Sequence, residues 1–204
     1  MSRNNFSRAT IPPTIPRPFG AANWVTVARA IYAICLLGYG IWALAADQVP
    51  ASTLRWFWVV GALGALALDG VDGHLARRLG QTSTFGARFD METDAATVLG
   101  LSLLVWLCDQ AGPWVLAIGL MRYIFVAGSW AFPVLAAPLP ARKRRQVVCV
   151  VQVAGLILVV VPGVPPELAS PLCLGALAAL VYSFAVDVAW LVTNRGGEKK
   201  EAVV

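Results

Sequence analysis

The stretch from Asp69 to Asp94 reads DGVDGHLARRLGQTSTFGARFDMETD, and it constrains how the rest of the chain can fold. It contains four aspartates: Asp69, Asp72, Asp90 and Asp94. Residues on a helix advance by 100°, so the first two acids share one stripe, while Gly86 and the last two stack at steps of four along another. The sequence therefore predicts two antiparallel helices with facing acidic stripes, joined by a turn at residues 80–83.

Facing carboxylates repel each other strongly where water is scarce, so such a pair of helices needs cations between the acids or protons on some of them. Ligation by oxygen alone favours hard divalent ions, namely magnesium, manganese or calcium, over zinc. Gly73 and Gly86 remove side chains from the same faces, which close approach of a bulky ligand requires. Arg77 can donate to a phosphate oxygen as a planar fork. The stretch thus predicts a site for metal ions and a polyphosphate.

The complete pattern, DxxDGxxAR followed by eight residues and GxxxDxxxD, resembles the signature of the CDP-alcohol phosphatidyltransferase family of integral membrane enzymes. Every fixed position of that signature matches. Two solvated acidic loops would be the bland alternative, but loops do not require glycine and alanine at fixed helical offsets. The resemblance implies a transferase of phospholipid biosynthesis. It would move a phosphatidyl group from a CDP-linked lipid, such as CDP-diacylglycerol, to a small alcohol with or without a phosphate, and release CMP.

The same resemblance implies a role for each position of the motif. Two ions, Mg²⁺ or Mn²⁺, are expected on four acids: Asp69, Asp72, Asp90 and Asp94. Of these, Asp94 is also expected to be the catalytic base that accepts the proton of the acceptor hydroxyl. The pocket for the cytidine diphosphate is expected to be lined by Asp69, Gly73, Ala76, Arg77 and Gly86.

The composition predicts an all-α integral membrane protein. The chain has 204 residues, is 58% hydrophobic with 13% charged residues, and has a mean hydropathy of +0.70, which leaves no length for a second globular domain. Apolar runs of spanning length predict six transmembrane helices at about 24–46, 54–75, 85–108, 112–136, 146–163 and 170–192. The predicted domains are a basic, proline-rich N-terminal tail at 1–22, the six-helix domain at 23–193, and a disordered C-terminal tail at 194–204.

The basic residues predict the orientation of these helices. Thirteen of the sixteen Lys and Arg residues fall in the two tails and alternate connections, with only Arg55 on the opposite side. By the positive-inside rule both termini and the acidic site face the cytoplasm. We therefore expect a multi-pass protein of the bacterial inner membrane. Because the basic residues sort by loop and form no aromatic-studded patch, no nucleic-acid partner is predicted.

Three arginines are candidates for the phosphate of a phosphorylated acceptor: Arg29, Arg122 and Arg145. Arg122 lies deep in the fourth apolar run, where a guanidinium needs an anion, either the acceptor phosphate or Asp187. Arg29 ends an NxxTxxR segment similar to one common in the family, and snorkelling to the interface would also explain it. Arg145 belongs to the ARKRRQ run at 141–146, which attracts anionic acceptors or lipid headgroups, or serves only as a topology signal.

A different class of function also fits paired intramembrane carboxylates, namely transport of divalent metal ions. Against it, the acids are predicted at helix ends, and the motif glycines and Arg77 have no role in ion passage. The expected partners are a CDP-linked lipid, a small alcohol and membrane lipids, and the resemblance implies a homodimer. The sequence leaves the acceptor open among glycerol 3-phosphate, inositol phosphate, inositol, serine and choline.

Overall fold

A computed structural model describes the chain over residues 21–79, 84–132, 135 and 143–201, with side chains described within 25–68, 86, 88–132, 135 and 144–193. These residues form six α-helices and no strand, which confirms the predicted all-α fold and its helix number. The helices are α1 (Ala21–Ala45), α2 (Ser52–Leu79), α3 (Thr84–Leu107), α4 (Leu116–Ala131), α5 (Lys143–Val160) and α6 (Pro166–Glu201), with a short 3-10 turn at Pro113–Val115.

Three segments of the described chain are long and apolar enough to cross a membrane: Val25–Ala45, Pro113–Ala131 and Pro166–Thr193. They belong to α1, α4 and α6. A shorter apolar stretch, Ser52–Leu68, opens α2. Helices α2, α3 and α5 contain shorter apolar stretches than predicted. Charged residues occupy the end of α2 and the beginnings of α3 and α5. The chain is a membrane protein whose described residues form six α-helices. Six full spans with cytoplasmic termini stay a prediction.

The outer surface of the bundle carries large apolar side chains. Ile34 on α1 is 69% exposed and Trp130 on α4 is 83% exposed, and Ile31 and Ile41 are also exposed on α1. A soluble protein rarely shows so much apolar surface, because water does not solvate it favourably. Lipid chains solvate apolar side chains favourably, so these exposed faces suit a helix bundle that lies in a bilayer.

Helix α3 is the centre of the bundle. It packs against α1, α4 and α5, and its Leu101, Leu104 and Val105 are fully buried. Glycines let the helices approach closely there. A Cβ added at Gly100 would lie 2.7 Å from Cγ of Leu36 on α1. Small residues at helix contacts allow this backbone approach in membrane bundles.

The helices alternate in direction, and a side-chain cap fixes one end. Arg55, near the start of α2, donates from Nε to the carbonyl oxygen of Val160 at 3.0 Å and from Nη2 to that of Val161 at 3.3 Å. These carbonyls lie at the end of α5, where helix oxygens lack partners and a cation is favourable. The opposite end, where α1, α3 and α5 begin and α2, α4 and α6 end, is called the charged end below.

The predicted C-terminal tail needs a correction. Helix α6 does not stop near residue 193 but continues through Glu201, so residues 194–201 are helical. Glu and Lys are good helix formers, and Lys199 and Lys200 lie where the helix dipole favours positive charge, so the two adjacent glycines do not end the helix. At the other terminus, α1 begins at Ala21, and most of the predicted N-terminal tail lies outside the described residues.

The contact of α3 with α4 makes a testable prediction about stability. A Cβ added at Gly119 would lie under 3.0 Å from the backbone Cα of Leu99, which cannot move without shifting α3. We expect Gly119→Ala to lower the free energy of unfolding by about 2 kcal/mol. Gly155→Ala is the control, because nothing lies within 4 Å of its added Cβ. Thermal unfolding in detergent tests this, and equal melting temperatures for the two variants would contradict it.

Candidate active site

A buried arginine joins α1 to the two acids of α3. Arg29 is 5% exposed and donates from Nη1 to Oδ1 of Asp90 at 2.6 Å and from Nη2 to Oδ1 of Asp94. The two aspartates lie one helical turn apart, so one planar guanidinium fork can bond to both at once. Gly86 lies one turn before them, at the start of α3. Step-of-four spacing thus presents both acids to the same partner.

The two carboxylates keep access to further ligands. Their side chains are 39% exposed for Asp90 and 32% exposed for Asp94, against 6% for Arg29. The exposed parts of the two carboxylates can bind a further cation beside the guanidinium. Arg29 was expected to contact the acceptor phosphate or to snorkel. The structure places its guanidinium on the two acids, and a contact with an acceptor phosphate stays a prediction.

Asp94 lines two cavities. The smaller, about 40 Å³, lies between α1, α2, α3 and α5 and is also lined by Arg29 and Ala65. Asp69 follows Ala65 by one turn along α2, and Asp72 lies three residues further. The α2 backbone therefore leads from this cavity to the first half of the motif. The structure does not describe the side chains of that half of the motif, which comprises Asp69, Asp72, Gly73, Ala76 and Arg77.

The larger cavity, about 610 Å³, lies between α3, α4, α5 and α6. Its charged lining residues are Asp94, Arg122, Arg145 and Asp187. Most other lining residues are apolar, including Met91, Ile118, Phe125, Leu180 and Phe184. Two of the three arginines predicted to contact an acceptor phosphate are therefore brought together with Asp94, and Arg29 lines only the smaller cavity.

The suggested pairing of Arg122 with Asp187 is wrong. Arg122 donates from Nη2 to Oε1 of Glu92 at 2.5 Å. Asp187 is 4% exposed and accepts from Nη2 of Arg144 at 2.6 Å, with Nε of Arg145 at 3.6 Å. The physical reason is the rotation of α3: Glu92 lies about 200° around the helix from Asp90, on the side that faces α4.

Ion pairs connect the helices at the charged end. Those of the described side chains join four arginines, Arg29, Arg122, Arg144 and Arg145, with four carboxylates, Asp90, Glu92, Asp94 and Asp187. Arg29 and Asp187 are the buried members, and burial of their charges is tolerable because each has an opposite partner. Sequence reasoning missed Glu92 and Arg144. Helical angles relative to Asp90 could have suggested Glu92 as the acid that faces α4.

The comparison with known families bears on the identity of the helical bundle as a whole. The model of the family described as CDP-alcohol phosphatidyltransferase matches residues 19–192, which run from before α1 to the last apolar part of α6. No curated protein and no solved structure matches the chain. The family match includes both halves of the acidic motif and every helix that lines the two cavities. It confirms the resemblance read from the motif, and the chain belongs to the CDP-alcohol phosphatidyltransferase family.

Proposed function

We propose that this protein transfers a phosphatidyl group from a CDP-linked lipid, such as CDP-diacylglycerol, to a small alcohol and releases CMP. Membership of the family supports phosphatidyl transfer from a CDP-alcohol in phospholipid biosynthesis. One observation supports the specific site: Asp94 lies between the cavity next to α2 and the larger cavity next to α4, α5 and α6. A base at that junction can serve an acceptor on one side and a CDP-lipid on the other.

The acids of the site suit divalent ions. Asp90 and Asp94 offer only oxygen ligands, are partly exposed and lie one turn apart, which fits hard ions such as Mg²⁺ or Mn²⁺. Together with Asp69 and Asp72 they would hold two ions. Such ions, when bound, neutralise a pyrophosphate and stabilise the leaving CMP. Arg29 then keeps the two α3 carboxylates in position from the buried side.

The proposed reaction is the attack of the acceptor hydroxyl on the CDP-linked lipid. The acceptor oxygen forms a bond to the phosphorus that bears the lipid, and the bond from that phosphorus to the bridging oxygen of CMP breaks. A carboxylate oxygen of Asp94 takes the proton of the attacking hydroxyl. By the family motif, Asp69, Gly73, Ala76, Arg77 and Gly86 would line the pocket for the cytidine diphosphate. The small residues leave room for it, and the arginine donates to its phosphates.

The acceptor is assigned to the larger cavity, where Arg122 and Arg145 supply positive charge. A phosphate on the acceptor would have to compete with Glu92 for Arg122 and with Asp187 for Arg145, since both arginines contact these acids. The count of basic residues supports a cytoplasmic position for the charged end. The protein is expected to act as a homodimer of the bacterial inner membrane, which size-exclusion chromatography with light scattering can test.

The direct test of this function is CMP release by the purified protein. It is incubated with CDP-diacylglycerol, Mg²⁺ or Mn²⁺, and in turn glycerol 3-phosphate, inositol, inositol phosphate, serine and choline. We expect at least one alcohol to give CMP and a new phospholipid. Neither product should form when the alcohol is omitted or when the metal ions are chelated. If no alcohol supports CMP release while proteoliposomes take up divalent ions, the protein is a transporter instead.

The role of Arg122 makes a prediction about the acceptor. If the acceptor is a phosphomonoester, Arg122→Ala should raise its KM at least about tenfold, near the 1.4 kcal/mol of one charge-assisted contact, and leave the KM for CDP-lipid nearly unchanged. Glu92→Gln is the matched variant: it keeps Arg122 and removes the competing charge, so the same KM should fall. An unchanged KM in both variants would remove Arg122 from the acceptor site. Rescue of Arg122→Ala stability by Glu92→Ala, with no KM effect, would leave only a structural pair.

A further inference from the structure

The wall of the larger cavity contains a buried polar side chain that none of the assigned roles uses. Gln152 on α5 is 5% exposed and lines the cavity. Its Nε2 is fully buried and has no hydrogen-bond partner among the described residues. A buried amide donor without a partner is costly, so proteins rarely keep one without a use for it. The surrounding wall, including Val148 and Leu180, is largely apolar.

Gln152 lies at the level of Asp94. Asp94 is two to three turns from the start of α3, and Gln152 is two to three turns from the start of α5. The two helices pack against each other and run in the same direction from the charged end. Both residues line the same cavity. A small molecule that fills this cavity at the level of Asp94 can therefore contact the Gln152 side chain.

We infer that Gln152 is a specificity-determining residue that donates from Nε2 to a second hydroxyl oxygen of the acceptor alcohol. This inference rests on the proposed transfer to an alcohol in this cavity. With the attacking hydroxyl at Asp94, the amide positions the acceptor through a neighbouring, uncharged oxygen. A neutral donor is suited to a hydroxyl, and the ion-paired charges nearby remain in place. The acceptor is accordingly a polyol or polyol phosphate with adjacent hydroxyls, and not an alcohol with a single hydroxyl such as choline or serine.

The test compares the best acceptor of the alcohol panel with its analogue that lacks the hydroxyl next to the attacked one. For glycerol 3-phosphate the analogue is 3-hydroxypropyl phosphate. We expect the wild-type kcat/KM to favour the full acceptor by at least about tenfold, because the analogue leaves the amide unpaired. In Gln152→Met, which has nearly the same shape, this preference should fall to within about twofold, while the KM for CDP-diacylglycerol stays unchanged.

Stability separates this role from a structural one. Gln152→Met removes an unpartnered buried donor, so its melting temperature should equal or exceed that of the wild type. Gln110→Met is the matched control. Gln110 is 7% exposed, its Oε1 is likewise buried without a partner in the described chain, and it follows α3 at the opposite end of the bundle. That variant should retain the wild-type preference between acceptor and analogue. If Gln152→Met fails to fold, Gln152→Asn shortens the amide and should show the same loss of preference.

The outcomes distinguish this inference from the proposed function. Absence of CMP release from the wild type with every alcohol overturns the function itself. CMP release with choline or serine as the best acceptor, or an unchanged preference in Gln152→Met and Gln152→Asn, overturns only the role of Gln152. A lower melting temperature in Gln152→Met together with equal losses for acceptor and analogue makes Gln152 a structural residue and also overturns it.

Discussion

Asp90→Asn and Asp94→Asn are each expected to lower the rate of CMP release by at least about a thousandfold, for different reasons. Asp90→Asn removes a charged oxygen ligand, so Mn²⁺ binding should weaken along with turnover. Asp94→Asn removes the base at the junction of the two cavities. If its main role is to accept the hydroxyl proton, turnover should be lost while the affinity for CDP-lipid stays within a few fold.

Three measurements separate these two roles: CMP release, Mn²⁺ binding and CDP-lipid binding. Asp109→Asn is the control, because Asp109 is exposed just beyond the far end of α3 and its φ of 55° is one that asparagine also adopts readily. It should have wild-type activity. Full activity in Asp90→Asn, or activity that survives chelation, would rule out the metal site. A large loss of CDP-lipid affinity in Asp94→Asn would make Asp94 primarily a ligand.

Replacement of Arg29 should cause the largest loss of stability at the site. Arg29→Met leaves Asp90 and Asp94 one turn apart without their shared cation, so the two carboxylates repel each other. Breaking a buried ion pair costs about 3–5 kcal/mol. Because the carboxylates are partly exposed, we expect a loss of about 3 kcal/mol, at the lower end of this range. Divalent ions should restore part of the loss, because they can take over the role of the guanidinium between the acids.

The measurement is the melting temperature in detergent with and without Mn²⁺. We expect Mn²⁺ to raise it more in Arg29→Met than in the wild type, since binding to the folded state stabilises by mass action. Arg29→Lys should be intermediate, because one ammonium keeps the charge but lacks the fork that reaches both acids. Adding Asp94→Asn to Arg29→Met should recover stability by removing the repulsion. Equal Mn²⁺ shifts in Arg29→Met and the wild type would show that Arg29 does not hold the acids for a cation.

The ion pairs of Arg122 and Arg145 bear on how an acceptor can bind. Each arginine of the larger cavity contacts a carboxylate, Glu92 or Asp187. An anionic acceptor must therefore exchange with an internal partner, whereas a hydroxyl needs only an unused donor or acceptor. If a phosphate replaces Glu92 as the partner of Arg122, the positive charge of Arg122 stays neutralised. Entry of the phosphate would then require Glu92 to move away. The Glu92→Gln variant measures that coupling directly.

The helices, the acidic motif and the family can be read from the amino-acid sequence alone. Helical periodicity is a local property, so the apolar runs and the steps of four that align Gly86, Asp90 and Asp94 could be read without a partner element. The helix-forming residues beyond residue 193 likewise act locally, and they extend α6 through Glu201. These features depend on neighbours in the chain and on little else.

Which charges meet depends on how the helices pack against each other. The contacts of Arg29 with Asp90 and Asp94, of Arg122 with Glu92, and of Arg144 with Asp187 all cross between helices. Each depends on how α3 and α6 are rotated and how deeply they pack against their neighbours, and spacing along one helix does not specify this. The same holds for Gln152, whose place beside Asp94 follows from the packing of α3 against α5 and from no local pattern.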